Sequence, residues 1–341
     1  MKKSNVLAID LAKNTLQLGK FKANGKMIYN RAYSRQRLKQ QLQKEEPCLV
    51  AMEACGGAHY WARFAQSCGH QVKLLHARSV KAFCTGQKTD ENDAQAIAVA
   101  AGQDHLHPVR VLSVDEQSAQ ALDRARKLAN HQCTALSNQI RGFLGEFGVV
   151  IPQGKAALRQ ALPRLLDVED RRLPESFRPL LHALWQQLDL LEGQEARLTK
   201  QLEQQVKQIE ACQRLLSLEG VGPISAFKLW LGLGDGSGYR SGKNAAASFG
   251  LTPKQFSSGG KERIGHISRC SADQSLRSTL YQGAMSVIRQ LKKRGPSTGK
   301  ERWLLALVHR RGTKVAAIAL CNKTVRTAYA LLSNNTTYQP S

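Results

Sequence analysis

The sequence lacks the cysteine pattern of a zinc protein or of a disulfide-rich one. Its eight cysteines are scattered, and no Cys-x-x-Cys or Cys/His ligand spacing occurs among them. This argues against a structural zinc site and a disulfide framework, and it indicates a reducing compartment. No run approaches the roughly 18 apolar residues of a membrane span, and Asp10 and Lys13 interrupt the apolar stretch that a signal peptide would need. We therefore expect a cytoplasmic protein without membrane contact.

Acidic residues are scarce relative to basic ones. The 341 residues include 50 Lys+Arg and 26 Asp+Glu, which gives a formal net charge of +24. From Arg240 to Ala330 there are 18 basic and 3 acidic residues, so the surplus is concentrated in the C-terminal quarter. A solvated surface is the ordinary explanation of a charge run. A regional surplus with so few compensating acids favours nucleic acid as the partner.

Familiar nucleotide-binding and hydrolase signatures are also missing. The glycine-rich stretch 232–238 has neither P-loop nor dinucleotide spacing, and no strand is predicted before it. No Ser-His-Asp arrangement can be read from the sequence. Any chemistry must therefore come from other side chains.

The first hundred residues alternate between strand and helix patterns. Residues 5–21 alternate as a strand, an Asn-Gly turn follows at Asn24-Gly25, and residues 27–34 return as a second strand. Helix, strand, helix, strand and helix patterns follow. This order predicts an α/β domain, and acids at strand ends lie where such sheets place chemistry.

Four carboxylates stand out in this region. Asp10 and Glu53 end two predicted strands, while Asp90 and Asp93 open an apolar-periodic run that ends at Ala101. A spacing of three residues places Asp90 and Asp93 on one face of a helix. Each acid alone is better explained as a helix cap or a solvated strand end. Together they favour a cage for hard divalent cations.

The middle of the chain is predicted to be helical. The segment from Val114 to Phe147 has a broken apolar stripe through Ala121, Leu128, Leu136, Ile140 and Leu144. After a connector, heptad-like leucines predict a coiled-coil helix over about 184–210, with Glu195 at one core position. This helix could form an intramolecular hairpin or mediate self-association, and the sequence leaves both open.

Two motifs in the C-terminal region could contact DNA. Gly220 and Gly222 lie in a turn between apolar segments, as in a helix-hairpin-helix, although a tight turn between packed helices explains them equally well. Ser258, beside Ser257 and before Gly259-Gly260, lies in a predicted exposed loop. The basic residues around that loop and along the next helix are Lys261, Arg263, Arg269 and Arg277. The residues alone favour phosphate contact by Ser258 over nucleophilic attack. Helices complete the region, and a frayed polar tail is expected from Asn334.

The sequence resembles a known family through the segments AIDLAK, AMEACG, KTDENDA and GLTPKQFSSGG…ISR…LRSTLY. These segments are similar, in order and spacing, to the DEDD insertion-sequence transposases of the IS110 family. The similarity is greatest to the IS1111 branch, and the family is related to the Piv DNA invertase. The resemblance covers nearly the whole chain.

The resemblance implies α/β plus all-α architecture. Its parts are a RuvC-like (RNase H-fold) domain at 1–110, a helical connector with the coiled coil at 111–212 and a helical transposase domain at 213–335. It assigns Mg²⁺ or Mn²⁺ to Asp10, Glu53, Asp90 and Asp93, and the nucleophile to Ser258. Ser257 leaves open which hydroxyl attacks. It also implies a guiding non-coding RNA, a tetramer that shares active sites between subunits, and action at the bacterial nucleoid.

These implications lead to an expected function. The protein would be a transposase that excises and inserts its own element by serine attack on a DNA phosphate. One alternative is a RuvC-like hydrolytic nuclease or junction resolvase, in which Ser258 only contacts phosphate. Another is a non-catalytic DNA- or RNA-binding protein.

Overall fold

In the computed structural model, which describes residues 5–87, 89–267 and 274–339, the alternating N-terminal segments form a five-stranded sheet. Its strand order is β3-β2-β1-β4-β5. The first three strands are antiparallel neighbours, whereas β1, β4 and β5 run parallel to one another. The strands are β1 (Val6–Asp10), β2 (Thr15–Phe21), β3 (Met27–Ser34), β4 (Leu49–Glu53) and β5 (Gln71–Leu75).

The prediction of a single strand over residues 5–21 was wrong. The chain turns after Asp10, and β2 pairs back on β1 with Asp10 opposite Gln17. An alternating pattern continues through a hairpin as readily as along one strand, so it did not reveal this turn. The Asn-Gly turn is confirmed: Gly25 has φ +86, and its amide donates to the Lys22 carbonyl at 2.9 Å.

The sheet has a hydrophobic core on each face. Leu7 and Ile9 of β1 belong to the core that includes buried residues of α1 and α2. Ala8 between them belongs to the other core, which includes buried residues of α4. The helices that follow or connect the strands are α1 (Arg35–Lys44), α2 (Ala58–Ser67), α3 (Ala77–Lys81) and α4 (Asp90–Ala101).

The described residues form two units, each made of separate stretches of chain. One comprises Met1–Glu116, Gly232–Arg277 and Lys314–Thr337; the other comprises Gln117–Leu231, Ser278–Thr313 and Tyr338–Ser341. None of the helices in the described ranges is long and apolar enough to cross a membrane. The remaining elements are α5 (Val114–Glu146), α6 (Lys155–Leu165), α7 (Arg178–Gln208), α8 (Glu210–Leu216), α9 (Pro223–Leu233), α10 (Gly242–Ser248), β6 (Pro253–Ser258), β7 (Lys261–Ile267), α11 (Gln274–Arg294), α12 (Gly299–Arg311) and α13 (Thr313–Ser333).

The leucine-rich helix α7 packs within its own unit. Leu181 and Leu188 are buried in one apolar cluster with Ile140 of α5 and Leu162 of α6. At least the N-terminal half of the predicted coiled coil therefore takes the intramolecular arrangement.

The predicted apolar stripe of α5 was wrong in its first half. Leu128 is 58% exposed and Ala121 is also exposed, whereas Asp123 and Arg126 are buried. Charged side chains are rarely buried unless they are paired with opposite charges. The Asp123 carboxylate lies 3.3 Å from the Arg126 guanidinium, 2.8 Å from Lys127 Nζ and 4.0 Å from Lys228 Nζ, and Arg126 also approaches Glu195 at 3.9 Å. A prediction based on the spacing of apolar residues places charged residues at the surface, so it missed the burial of this paired set.

Packing against α11 accounts for Gly220, which lies in the turn between α8 and α9. Its φ is +75, and a Cβ there would lie 2.9 Å from the carbonyl oxygen of Gly283. A Cβ on Gly283 would lie 2.0 Å from the Gly220 carbonyl oxygen. Gly222 is exposed, and a Cβ there would meet nothing within 4 Å.

We expect Gly220→Ala to lower the free energy of unfolding by at least ~2 kcal/mol, because it adds left-handed strain to a backbone clash. Gly222→Ala is the matched control and should change it by less than about 0.5 kcal/mol. Denaturant midpoints of the two variants measure the difference. Equal midpoints would show that the Gly220 contact is unimportant.

The C-terminal elements differ from prediction in two places. The sequence predicted a loop around Ser258 and otherwise helices, but β6 and β7 form an antiparallel hairpin with Gly259-Gly260 at its turn. Both turn glycines have positive φ, +56 and +74, which a two-residue hairpin turn of this kind requires. The C-terminal tail, which was expected to be frayed, makes hydrogen bonds to the folded chain. Tyr338 Oη donates to the Glu219 carboxylate at 3.1 Å, and Lys300 Nζ contacts both residues.

Candidate active site

Asp10 and Glu53 lie at the same level of the sheet. They end β1 and β4, which are adjacent parallel strands, and the residues before them, Ile9 and Met52, are register partners. Neighbouring strands are about 4.8 Å apart, so the two acids are close in the hydrogen-bonding direction. Side chains alternate along a strand, which places Asp10 on the face of Ala8 and Glu53 on the face of Ala51. Both Ala8 and Ala51 belong to the core that α4 covers.

Helix α4 brings the other two acids to this face. Thr89 caps the helix: its hydroxyl accepts from the Asn92 amide at 3.3 Å. The Asn92 side chain donates to the Gln87 carbonyl at 2.7 Å, and Asn30 of β3 donates to the Glu91 carbonyl at 3.0 Å. The first turn is therefore fixed from both sides. Acids there also interact favourably with the helix dipole.

Small residues let α4 approach the sheet closely. Ala94, Ala96 and Ala100 on the helix are buried, as are Ala8 and Ala51 below them. Gly19 on β2 adds further space: a Cβ there would lie 3.7 Å from the Cβ of Ala94 and 2.6 Å from the Phe21 ring. Larger side chains at these positions would lift the helix, and with it Asp90 and Asp93, away from Asp10.

Three carboxylates lie within electrostatic range of Asp10. The pKa of Asp10 is raised above its usual value, first by burial and then by the charges of Asp93, Asp90 and Glu53. Asp10 is thus the central member of the cluster. A partly buried carboxylate surrounded by three others favours either a proton or a bound cation.

The donor set fits a hard divalent metal, because carboxylate oxygens are the ligands such ions prefer. Within the described ranges, however, no group of three or more His, Cys, Asp or Glu side chains is close enough to hold an ion as positioned. The acids are therefore gathered without forming a complete coordination shell. Asp10 and Glu53 on the strands and Asp90 and Asp93 on α4 are the residues that could hold the metal.

Two cysteines beside the acids were not singled out from the sequence. The Cys84 thiol lies 3.8 Å from Asp93 Oδ1, and its pKa is raised by burial and by Asp93. The pKa of Cys55 is raised by burial, Glu53 and Asp10. Only its position two residues after Glu53 could have drawn attention to Cys55. Both thiols stay protonated near neutral pH, which argues against thiolate chemistry.

Ser258 lies on the β6–β7 hairpin, in the same unit as the acids. Directly opposed residues of an antiparallel pair share a face. Ser258 opposes Lys261 and Phe256 opposes Arg263, and we call this side the serine face. Ser257 opposes Glu262 on the other side, the far face, together with Gln255 and Ile264. The two serines therefore differ in the charge of their surroundings.

The other predicted nucleic-acid residues have different surroundings. Lys261 and Arg263 are exposed. Arg277 is half-buried on α11, and its guanidinium donates to the Gly250 carbonyl at 3.5 Å, so part of its role is structural. Arg269 lies outside the described residues.

Comparison with known proteins adds to this geometry. Residues 6–148 match a DEDD transposase model of IS110 type, and residues 212–298 match the model described as Transposase IS116/IS110/IS902 family. A probable family 20 transposase of Pseudomonas aeruginosa is 39% identical over 335 residues, 98% of each chain. The transposase for insertion sequence element IS1111A of Coxiella burnetii is 35% identical over 99% of this chain and 92% of its own. The transposase for IS1328 of Yersinia enterocolitica is 34% identical over 98% of each chain.

The class is therefore that of a transposase, an enzyme that acts on DNA. More narrowly, the chain belongs to the IS116/IS110/IS902 family of transposases. The DEDD domain model suggests that a divalent metal is used, in keeping with the carboxylates gathered around Asp10.

Proposed function

We propose that this transposase excises and inserts its own insertion sequence by serine attack on a DNA phosphate at a Mg²⁺-binding acid cluster. The observation that carries the proposal is the gathering of Glu53, Asp90 and Asp93 around Asp10 at one edge of the sheet. The proposed nucleophile is Ser258, on the cationic face of an exposed hairpin. The test is to trap a covalent protein–DNA adduct that depends on Ser258.

The strand order supports a RuvC-like, RNase H-type domain. Three antiparallel strands are followed by two parallel ones, and acids end the two central parallel strands, β1 and β4. In open α/β sheets, sites form beyond the carboxyl ends of the strands, where the direction of connection changes. Here β2 and β4 flank β1 on opposite sides, so Asp10 lies at such a point.

Mg²⁺, or Mn²⁺, suits the four carboxylates. When bound there, it would neutralise the non-bridging phosphate oxygens and activate the attacking and leaving oxygens. The protein positions the ligands: Asp10 and Glu53 on adjacent paired strands, and Asp90 and Asp93 on a helix fixed by Thr89 and Asn92. Ligands on regular elements are held more rigidly than ligands on loops.

In the proposed step, Ser258 Oγ forms a bond to phosphorus as the bond from phosphorus to a deoxyribose oxygen breaks. The serine loses its hydroxyl proton and the displaced sugar oxygen gains one, so protons balance. The phosphodiester is replaced by a phosphoserine ester, which conserves the bond energy. A free deoxyribose hydroxyl of the exchanged strand then attacks the phosphoserine and releases the serine. Neither step requires ATP.

The cations of the serine face would assist this step. Lys261 directly opposes Ser258, and Arg263 lies two residues further along β7. Positive groups beside the hydroxyl attract the DNA phosphate and stabilise the charge of the pentacovalent transition state. Ser257 faces Glu262 instead, and its hydroxyl accepts from the Gln255 side chain at 3.0 Å. This asymmetry supports Ser258 over Ser257 as the nucleophile.

Target choice is proposed to rest on a structured non-coding RNA that pairs with DNA. The basic surplus between Arg240 and Ala330 suits contacts with nucleic-acid backbones, which carry little sequence information, while base pairing supplies specificity. We further propose a tetramer in which acids and serine come from different subunits, and a relation to the Piv invertase. These proposals rest on the family resemblance.

One observation favours a second function, hydrolytic cleavage in which Ser258 only contacts phosphate. Glu262, the carboxylate of the described hairpin, lies on the far face, opposite Ser257. The residue directly opposite Ser258 is Lys261, so on the described hairpin no carboxylate opposes Ser258 to take its proton. In the hydrolytic alternative, water attacks at the acid cluster, and free nicked ends form without an adduct.

A further inference from the structure

The hairpin that carries Ser258 also exposes two large apolar side chains, one on each face. Phe256 on the serine face is 62% exposed, and Ile264 on the far face is 72% exposed. Exposed single apolar residues are common on protein surfaces. Phe256 differs from Ile264 in its surroundings, because it shares its face with Ser258, Lys261 and Arg263.

The Phe256 ring lies against β7 at Gly265. A Cβ on Gly265 would lie 3.2 Å from Cε2 of Phe256, so the ring rests against the backbone of β7 where no side chain intervenes. One side of the Phe256 ring therefore packs against β7 at Gly265, and the rest of the ring is open to solvent. An aromatic surface held in this way loses little conformational entropy on binding a planar partner.

We propose that Phe256 stacks on an unpaired DNA base adjacent to the phosphate that Ser258 attacks. This inference rests on the proposed function of Ser258. Two residues along a strand span about 7 Å, or about two stacked base steps of 3.4 Å. A base within one or two nucleotides of the attacked phosphate can therefore reach the ring while Lys261 and Arg263 contact the backbone.

The chemistry of this face matches single-stranded DNA. Sites for single strands combine aromatic rings, on which bases stack, with cations that follow the phosphates. On the far face, Glu262 beside Ile264 would repel phosphate, so an equivalent surface is missing there. Phe256 would act as a positioning residue, holding the strand so that its phosphate faces the serine hydroxyl.

Binding of a fluorescein-labelled thymidylate oligonucleotide of about 20 nucleotides to the full-length protein tests the proposal. Phe256→Ala should weaken binding about five- to 100-fold, whereas Phe256→Trp should preserve it. The slope of affinity against salt should not change, because no phosphate contact is lost. Binding to a duplex of the same length should also be unchanged. Ile264→Ala is the matched control and should bind both DNAs normally.

Photocrosslinking provides a second readout. With one thymine replaced by 5-iodouracil, irradiation should link the oligonucleotide to the peptide that contains Phe256. The proposal is overturned if that peptide is not linked. It is also overturned if Phe256→Ala weakens binding to the duplex as much as binding to the single strand, or if Ile264→Ala weakens single-strand binding as much as Phe256→Ala does. A loss of binding confined to an oligouridylate, which is an RNA strand, would overturn it as well.

The same assay separates this inference from the proposed function. Adduct formation reports on the Ser258 hydroxyl, whereas single-strand binding reports on the Phe256 ring. If Phe256→Ala weakens single-strand binding but the unsubstituted protein forms no covalent adduct, the base contact is supported and the serine chemistry is rejected. Adduct formation without any effect of Phe256→Ala on single-strand binding would do the reverse.

Discussion

Ser258→Ala is expected to reduce formation of the covalent protein–DNA adduct by about 10³-fold or more, because the oxygen that would bond to phosphorus is removed. Ser257→Ala is the matched control, and we expect it to retain most of the adduct. Its hydroxyl is on the far face, opposite Glu262, where a phosphate is disfavoured. The two substitutions remove the same atom from neighbouring positions of one exposed strand, so their effects on folding should be alike.

The measurement uses DNA that carries the ends of the element, labelled on one strand and denatured after reaction. A labelled strand that migrates with the protein, and disappears in Ser258→Ala alone, supports the recombinase. If Ser257→Ala abolishes it instead, the assignment of the nucleophile is wrong. Free nicked ends that survive Ser258→Ala would favour the hydrolytic nuclease.

Asp10→Asn and Glu53→Gln are each expected to lower the rate of DNA strand breakage by about 10³-fold or more. Both changes conserve shape and remove a charge from the proposed metal-binding cluster, and metal stabilisation of a developing phosphoryl charge is worth several kcal/mol. Glu91→Gln is the control. Glu91 is exposed in the first turn of α4, and it is not among the charges that raise the pKa of Asp10. Normal rates in Asp10→Asn would rule out the acid cluster as the catalytic site.

The raised pKa of Asp10 gives the same substitution a second consequence. The folded chain holds a proton on Asp10 at pH values where the unfolded chain has lost it. Stability must therefore fall as pH rises from about 3.8 through the folded-state pKa of Asp10. Above the folded-state pKa of Asp10, the ionised carboxylates repel one another and oppose folding. Asp10→Asn should raise the melting temperature of the metal-free protein while abolishing activity.

Mg²⁺ should reverse that ranking. An ion held by these acids in the folded state would offset the repulsion, so Mg²⁺ should raise the melting temperature of the unsubstituted protein and of Glu91→Gln. Asp10→Asn should respond weakly. The Mg²⁺ effect should grow as pH rises through the pKa of Asp10 and level off above it, because protons compete for the same oxygens. A melting temperature independent of Mg²⁺ throughout would argue against metal binding at these acids.

The sequence by itself determined many of the elements. Thr89 followed by acids and an apolar run indicated α4, and the periodic leucines indicated the long helix α7. The Asn-Gly turn and the strands on either side of it could also be predicted from the sequence. These features depend on neighbours within a few residues, where helix caps, turn chemistry and periodicity act. Net charge, likewise, is a property of composition.

Only the tertiary structure decided which distant side chains meet. The pairing of β1 with β4 sets Asp10 level with Glu53, and the packing of α4 brings Asp93 to them. The β6–β7 register separates Ser258 from Ser257, which the sequence could not do. A shift of one residue in a strand moves every side chain to the other face, and register depends on pairing between segments rather than on local pattern. The error in α5 has a related cause, because the buried Asp123 and Arg126 also have partners outside their helix, Lys228 and Glu195, which a local pattern does not show.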